Sequence, residues 1–182
     1  MAEILLSSET FIKSVTNISD NLSGKYLLPA LREAQEIGLR GILGDVLLDK
    51  LKDLVKTGQI AEAGNEAYKT LVDRCQYYLA YETITEVVNR ISYKIVNFGV
   101  AKSTDENLQV ATQDEIAKQQ YYYQSKADAC CLDLQHFLLE NHASYPELTE
   151  NACYRIESNL KSAASCGIFL GGARNRFKIP KK

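Results

Sequence analysis

The feature that most constrains this chain is the recurrence of apolar side chains at spacings of three and four residues along two long stretches. The first stretch covers residues 65–90 and predicts a helix. The second begins at residues 112–115, Thr-Gln-Asp-Glu, which match a capping box, where a hydroxyl and a carboxylate satisfy each other's backbone N–H groups. This helix is expected to run for about 43 Å to around Asn141 and to be ended by Tyr145-Pro146.

Shorter amphipathic stretches come before these two helices. Ser7 or Ser8 is predicted to cap a short first helix that ends near Thr16. A second helix is expected to be kinked near Pro29, because proline removes one backbone hydrogen bond. A further helix is expected to end at Gly58, since glycine tolerates the left-handed conformation of a C-terminal cap. Three glycines at spacings of three are predicted to allow close helix packing: Gly38, Gly41 and Gly44.

Two segments depart from the helical pattern. Residues 92–111 alternate like a strand but slip phase, which predicts a small irregular β-hairpin insertion. Residues 149–182 contain several glycines, serines and asparagines and a single short apolar run at residues 168–170, which favours an extended C-terminal arm. A helix over residues 152–160 stays open. The sequence therefore predicts a mainly α fold, in which residues 1–148 form a helical bundle that carries the insertion and the arm.

The net charge of −2 is the sum of two unlike parts. Residues 1–158 contain 15 Lys and Arg against 23 Asp and Glu, whereas residues 159–182 contain 6 basic residues and no acidic one. An acidic body argues against DNA binding by the whole domain, because nonspecific phosphate binding requires clustered cations. The arm mixes cations with apolar side chains, and its candidate partner-binding residues are Phe169, Arg174, Arg176, Phe177 and Lys178.

Residues typical of catalysis are sparse in this sequence. His136 and His142 are six residues apart, which places them about 240° apart around a helix, so they cannot share a ligand. The five cysteines lack zinc spacing, and the glycines match neither a dinucleotide fingerprint nor a P-loop. We therefore expect no catalytic residue, metal or cofactor.

The sequence also predicts where the protein is kept. It lacks the run of about 18 apolar residues that a membrane span requires, so we expect no membrane partner. The N-terminus has early glutamates, unlike a signal peptide, which predicts a protein kept in the cytosol.

Tyrosine is unusually frequent, with 11 Tyr against 5 Phe. Tyr121, Tyr122 and Tyr123 are consecutive within the second long helix. Three successive helical residues span about 200°, whereas the stripe that faces a core covers little more than about 100°. The apolar spacing assigns Tyr123 to the core and turns Tyr121 nearly opposite to it. Because tyrosine is enriched at protein interfaces, we predict that Tyr121 and Tyr122 contact another subunit.

Several short segments resemble one family, the head-to-tail connector proteins of tailed bacteriophages, also called neck ring or adaptor proteins, and above all the ring proteins of crAss-like phages. The first block covers residues 17–44 and includes Asn-Ile-Ser-Asp-Asn, Lys-Tyr-Leu-Leu-Pro-Ala, Gln-Glu-Ile and Ile-Leu-Gly. Residues 47–54, Tyr-Lys-Ile-Val-Asn at 93, Ser-Thr-Asp-Glu-Asn at 103 and Tyr-Pro-Glu-Leu at 145 fit the same pattern. The likeness covers most of residues 10–148.

The resemblance implies a helical subunit of a ring of about twelve copies, placed in the virion neck after synthesis in the bacterial host cytoplasm. Its partners would be the portal protein, other neck or tail ring proteins and copies of itself, with phage DNA passing through the lumen without sequence-specific binding. No enzymatic activity or cofactor is implied. Within this frame the arm would bind the portal, and the acidic turn at Asp105 and Glu106 would line the lumen.

Two other functions stay open at this stage. A small helical nucleic-acid-binding or regulatory protein could act through the basic arm, although the acidic body counts against it. A thiol enzyme would pair a cysteine with His136 or His142, and the spacing of these residues disfavours it. The resemblance favours the connector over both alternatives, and the division of charge between body and arm suits assembly better than catalysis.

Overall fold

The computed structural model describes residues 4–96, 99–102 and 112–148, and six α-helices make up most of these described residues. The mainly helical prediction is confirmed. Described by their bounds, the helices are α1 Glu9–Val15, α2 Gly24–Glu33, α3 Arg40–Leu43, α4 Asp45–Thr57, α5 Glu66–Ser92 and α6 Gln113–Glu140. Over the described ranges, the chain lacks a helix that is both long and apolar enough to cross a membrane.

Shorter elements connect these helices. A π-helical segment, Ala34–Leu39, joins α2 to α3, and 3-10 turns follow α4 and α6 at Gln59–Ala61 and His142–Ser144. Strands β1, Tyr93–Val96, and β2, Gly99–Lys102, pair in antiparallel fashion. Both strands lie within the predicted insertion; its remainder from residue 103 to 111, with Asp105 and Glu106, lies outside the described residues, as does the arm.

Side-chain caps fix the starts of α1 and α6 where the sequence predicts them. The Ser8 hydroxyl accepts a hydrogen bond from the Phe11 N–H at 3.1 Å. At α6, the Glu115 N–H donates to the Thr112 hydroxyl at 3.3 Å, and the Thr112 N–H donates to the Glu115 carboxylate at 2.8 Å. The capping box is therefore confirmed, and its hydrogen bonds lower the pKa of Glu115. The predicted end of α4 is also confirmed, because Gly58 caps it with a φ of 75°.

The end of α6 comes near residue 141 as predicted, but for a different reason. Asn141 leaves the helical conformation, and both its backbone N–H and its side-chain amide donate to the Phe137 carbonyl. Tyr145-Pro146 lies beyond this cap. Tyr145 instead anchors the following turn, because its side chain is buried and its hydroxyl donates to the Ala67 carbonyl of α5 at 2.9 Å.

The irregularity expected near Pro29 occurs one turn later, in the π-helical segment. Pro29 lies inside α2, and the Ala34 N–H that follows still donates to α2 carbonyls. At the other end of the segment, the Arg40 N–H reaches the Gln35 carbonyl five residues back. A π-turn adds one residue to a helical turn and so shifts which side chains face the core. Here it places Gln35, which is 0% exposed, in the interior.

The three glycines near this segment do not share one role. The prediction that they allow close helix packing holds for Gly38 and is wrong for Gly41 and Gly44. A Cβ on Gly38 would collide with the Tyr78 hydroxyl oxygen, so this glycine allows α5 to approach closely. A Cβ on Gly41 would meet no atom of the described chain within 4 Å. Gly44 has a φ of 81° and turns the backbone between α3 and α4, a conformation that favours glycine.

Helix α5 lies at the centre of the fold, with α6 antiparallel along it and α1 and α2 against its other sides. Near its start, the Tyr68 hydroxyl donates to the Glu147 carboxylate at 2.8 Å. Aliphatic side chains fill the space between the helices, each contributing about 1.5–3 kcal/mol by burial. The largest fully buried ones are Ile12, Leu27, Leu31, Leu39, Leu43, Leu47, Leu48, Leu51, Leu71, Leu79 and Ile84.

Candidate functional site

The consecutive tyrosines of α6 divide between the core and the surface as predicted. Tyr123 is 7% exposed, whereas Tyr122 is 53% and Tyr121 is 76% exposed. The rings of Tyr122 and Tyr123 meet edge to face with centroids 5.2 Å apart. The ammonium group of Lys126 lies 5.7 Å from the centroid of the Tyr122 ring. Tyr122 is therefore an exposed ring held in place from two sides, while Tyr121 extends into solvent.

Helix α5 and helix α1 extend this exposed aromatic region. Burial raises the pKa of Tyr81, and Cys130, Tyr122 and Tyr77 add to the effect, which places these groups beside it. Tyr77 is 49% exposed, and its ring meets the Phe11 ring edge to face at 5.4 Å. We call the set Phe11, Tyr77, Tyr81 and Tyr122 the aromatic surface. Tyr121 precedes Tyr122 in α6 and is turned about 100° from it around the helix, so it is not counted in this set.

Sequence reasoning missed Phe11, Tyr77 and Tyr81 as members of this surface. The signal that was available is the pair Tyr77 and Tyr81, which are four residues apart and so share one face of α5. Tyr78, adjacent to Tyr77, occupies the core. The contact with Tyr122 depends on the alignment of α5 with α6, which the sequence does not encode locally.

A groove of about 490 Å³ continues from the aromatic surface along the seam between α5 and α6. Tyr77 and Cys130 line its near end, and Arg74 and Asp133 line its walls. The Arg74 guanidinium donates to the Asp133 carboxylate at 2.6 Å and lies 4.3 Å from the centroid of the Phe137 ring. Two polar side chains of the groove, Arg74 and Asp133, therefore pair with each other. The aromatic ring of Tyr77 lines the end that adjoins the aromatic surface.

A second, chemically different surface lies where α5 meets the π-helical segment. We call it the acidic surface, and it consists of Glu33, Ile37, Glu82 and Glu86. Burial raises the pKa of Glu82, and the neighbouring carboxylates of Glu86 and Asp128 raise it further. Ile37 is 70% exposed, and Glu33 pairs with the Arg90 guanidinium. The surface thus combines carboxylates with a projecting apolar side chain.

The aromatic and acidic surfaces lie on opposite sides of α5. Nine residues separate Tyr77 from Glu86, and at 100° per residue this spacing turns the two side chains about 180° apart. Tyr77 is exposed and Glu86 is half-buried, although α5 is otherwise packed on several sides. The chain therefore presents two unlike surfaces in opposite directions from its central helix.

The cysteines and histidines of the described chain do not assemble into a reactive group. Burial raises the pKa of Cys75 and Cys130, and it raises that of Cys131 to about 11, so these thiols stay protonated at neutral pH. The His142 ring nitrogen Nδ1 lies 3.0 Å from the Leu139 carbonyl oxygen of its own helix. Among residues 4–96, 99–102 and 112–148, no three His, Cys, Asp or Glu side chains are grouped to hold a metal ion.

The remaining predicted site residues lie outside the described chain. They are the lumen candidates Asp105 and Glu106 and the arm candidates Phe169, Arg174, Arg176, Phe177 and Lys178. The structure thus places Tyr122 in the aromatic surface and leaves Tyr121 exposed next to it in the sequence. The roles predicted for the others stay predictions.

Comparison with known proteins yields a single family. No curated protein and no solved structure matches the chain. The model of the "Family of unknown function (DUF6712)" matches residues 39–158, which is more than half of the chain. The match includes α4, α5 and α6 and therefore the tyrosines of the aromatic surface, but not Phe11, Glu33 or Ile37. The chain belongs to the DUF6712 family of unknown function.

Proposed function

We propose that this protein is a structural virion subunit that forms a ring in the neck of a tailed phage, joins the portal to the tail and forms part of the DNA conduit. The resemblance in residues 10–148 suggests the family of connectors. The observation that carries the proposal is the pair of unlike surfaces on opposite sides of α5. A closed ring requires a heterologous interface, in which two different patches on each subunit meet.

The chemistry of the two surfaces suits such a contact. Tyrosine hydroxyls donate hydrogen bonds to carboxylates, as Tyr68 does to Glu147 within this subunit. Tyr77, Tyr121 and Tyr122 would donate in the same way to glutamates of the acidic surface of a neighbouring copy. Ile37 would pack among the rings. Tyrosine is enriched among the few interface residues whose truncation costs about 2 kcal/mol or more, which is about 30-fold in affinity.

The finer parts of the proposal rest on the resemblance. In the ring, the β-hairpin insertion over residues 92–111 would carry Asp105 and Glu106 to the lumen, where like charge prevents DNA from sticking. The arm over residues 149–182 would dock on the portal or on a neighbouring ring through Phe169, Phe177 and the cations near them. An extended arm would dock by adding a strand to a sheet of its partner.

Incorporation of variants into phage particles tests the proposal. The double substitution Tyr121→Ser, Tyr122→Ser should reduce the amount of this chain in purified tailed particles at least about tenfold, because it removes two exposed contact groups. Leu28→Ser is the matched control, since Leu28 is 45% exposed on α2 outside both surfaces. Quantitative mass spectrometry gives the readout. Normal incorporation of the double variant, or absence of the unmodified chain from particles, would contradict the proposal.

The nucleic-acid-binding alternative is supported by the basic arm, and removal of residues 167–182 separates the two functions. A connector lacking these residues should stay helical yet fail to join portal-bearing particles. If the protein instead binds nucleic acid, removing the arm should abolish its salt-sensitive DNA binding. The cations of the arm would no longer release counterions from the DNA, and the salt dependence would fall. Circular dichroism checks the fold, and DNA binding at several salt concentrations distinguishes the outcomes.

A further inference from the structure

The described chain ends beside one wall of the groove between α5 and α6. The centroid of the Tyr145 ring lies 6.2 Å from that of the Phe137 ring, and the Arg74 guanidinium of the groove wall lies 4.3 Å from the same Phe137 centroid. Leu148, the last described residue, is buried, and its N–H donates to the Tyr145 carbonyl at 2.9 Å. The chain beyond Leu148 therefore starts within one turn of the residues at this wall.

Two independent boundaries fall ten residues later, after residue 158. The family model matches residues 39–158, so its match includes residues 149–158 and stops before residues 159–182. The charge of the chain divides at the same place, because residues 159–182 contain six basic residues and no acidic one. We call residues 149–158 the connecting segment. Both boundaries indicate that the connecting segment belongs with the helical body and that the basic part of the arm begins after it.

The composition of the connecting segment suits the lining of the groove. The segment reads Thr-Glu-Asn-Ala-Cys-Tyr-Arg-Ile-Glu-Ser and contains two large apolar side chains, Tyr154 and Ile156. The groove has a volume of about 490 Å³, and its apolar lining comes from Tyr77, Ala129 and Cys130. Tyr77 and Ala129 are exposed and Cys130 is half-buried. Covering such surface is favourable by about 25 cal/mol per Å² of apolar area.

One charged group of the groove is also available to a partner. Asp73 lines the groove and is exposed, and no cation in the described part of the chain pairs with its carboxylate. Asp133 differs, because it already pairs with Arg74. Arg155 is the single basic residue of the connecting segment. Arginine forms strong, often paired hydrogen bonds with a carboxylate, so Arg155 complements Asp73.

We propose that the groove between α5 and α6 is the docking site for the connecting segment of the same chain. Its reach is sufficient, because ten residues span up to about 33 Å, whereas Arg74 and Tyr77 are only about 4.5 Å apart along α5. The basic residues 159–182 then leave the helical body close to the aromatic surface, which the groove adjoins. Docking within one chain needs no second copy, so it holds or fails independently of the proposed ring.

Crosslinking between two natural cysteines of the full chain tests the docking site. Cys130 lines the groove, and Cys153 lies in the connecting segment. Cys131→Ser and Cys166→Ser remove the other accessible candidates, and Cys75 is buried. In this test chain, a short bismaleimide should join Cys130 to Cys153 within one molecule. Mass spectrometry of proteolytic fragments identifies the product, and a mixture of isotope-labelled and unlabelled chains separates links within one chain from links between two.

The matched control moves the thiol of α6 away from the groove. It carries Cys130→Ser and Leu132→Cys in addition, and these two positions are about 200° apart around the helix. The length of chain between the reacting thiols is almost the same in both proteins. The control should give at least about fivefold less crosslinked product, because docking raises the effective concentration of Cys153 only at the groove.

Alkylation of Cys130 gives a second measurement, in which all natural cysteines are kept. The double substitution Tyr154→Ser, Ile156→Ser should release the connecting segment and make Cys130 react at least about threefold faster with iodoacetamide, because the thiol loses its cover. The matched control Ile168→Ser, Leu170→Ser removes two apolar side chains beyond residue 158 and should leave the rate unchanged.

Three results would overturn the proposal. The first is equal crosslinking in the test chain and its control, and the second is equal alkylation of Cys130 in the two double variants. The third is a product formed mainly between labelled and unlabelled chains, which would assign the segment in the groove to a neighbouring copy. If the cysteine substitutions abolish the helical circular dichroism signal, the alkylation rates decide, because that experiment leaves every described residue unchanged.

Discussion

The two exposed sides of α5 differ in chemistry and in what holds them in place. On the aromatic side, rings from α1, α5 and α6 support one another, with Phe11 against Tyr77 and Tyr122 against Tyr123. On the acidic side, charges and hydrogen bonds dominate, and Ile37 projects from among them. Phe11 and Tyr81 also pack against the hydrophobic core, whereas Tyr77 and Ile37 project into solvent. The difference shows that the two sides of α5 present unlike chemistry, which is what the proposed contact between neighbouring copies requires.

The largest expected effect separates the buried tyrosine of α6 from the exposed tyrosines beside it in the sequence. Tyr123→Ala should lower the free energy of unfolding by about 3–5 kcal/mol, because it empties a buried ring site. Tyr121→Ala, two residues earlier, should change it by less than about 0.5 kcal/mol. Denaturant unfolding of the two variants gives the comparison. Equal losses of stability would mean that Tyr121 also supports the fold, and the assignment of a free aromatic surface would fail.

The close approach at Gly38 gives a smaller effect on the acidic side. Gly38→Ala should lower the free energy of unfolding by about 1–3 kcal/mol, because its Cβ would displace the buried Tyr78 hydroxyl. Gly41→Ala is the matched control, and it should leave stability unchanged or raise it by up to about 1 kcal/mol. Thermal unfolding followed by circular dichroism measures both. A Gly38→Ala variant as stable as Gly41→Ala would refute the proposed packing of α5 against the π-helical segment.

Two glutamates near the acidic surface should respond to pH in opposite directions. Burial opposes ionisation of Glu36, but hydrogen bonds from Lys52 and Arg40 outweigh it and lower its pKa to about 2. A lowered folded-state pKa contributes stability above the unfolded value of 4.5, and this stability is lost as pH falls toward 2. Glu36→Gln should therefore cost about 1 kcal/mol at neutral pH, after allowance for screening, and should flatten the loss of stability between pH 4.5 and about 2.

Glu82→Gln is the matched comparison for Glu36→Gln. The pKa of Glu82 is raised by burial and by the carboxylates of Glu86 and Asp128, so its ionised form destabilises the folded state. The contribution of Glu82 to the stability of the folded protein is therefore most favourable at a pH below its unfolded-state pKa. This contribution is lost as the pH rises through its folded-state pKa. Glu82→Gln should therefore stabilise the protein at pH 7. Unfolding at a series of pH values that gave both variants the same sign would contradict these electrostatic assignments.

Local sequence patterns predicted the helices well because caps and apolar spacing act within a few residues. The structure has these caps at the predicted helix ends. Ser8 caps the start of α1, the capping box at Thr112 begins α6, and Gly58 caps the end of α4. Likewise, the spacing within α6 was sufficient to turn Tyr121 away from Tyr123.

What could not be predicted depends on contacts between distant elements. The π-helical segment carries no distinct local signal, so the irregularity was expected at Pro29 instead. The side-chain amides of Gln35 and Gln76 form hydrogen bonds with the backbone of Leu6, 29 and 70 residues away in sequence, and glutamine has no spacing that marks such contacts. The joining of Tyr77 and Tyr81 with Tyr122 likewise depends on how α5 and α6 align.

Electron cryomicroscopy of purified virions tests the central claim most directly, namely that copies of this chain meet through unlike surfaces on opposite sides of α5. We expect a closed ring of this chain below the portal, in which Tyr122 of each subunit faces the acidic surface around Ile37 and Glu86 of its neighbour. A particle without the chain, or a ring in which both surfaces face solvent, would contradict the account.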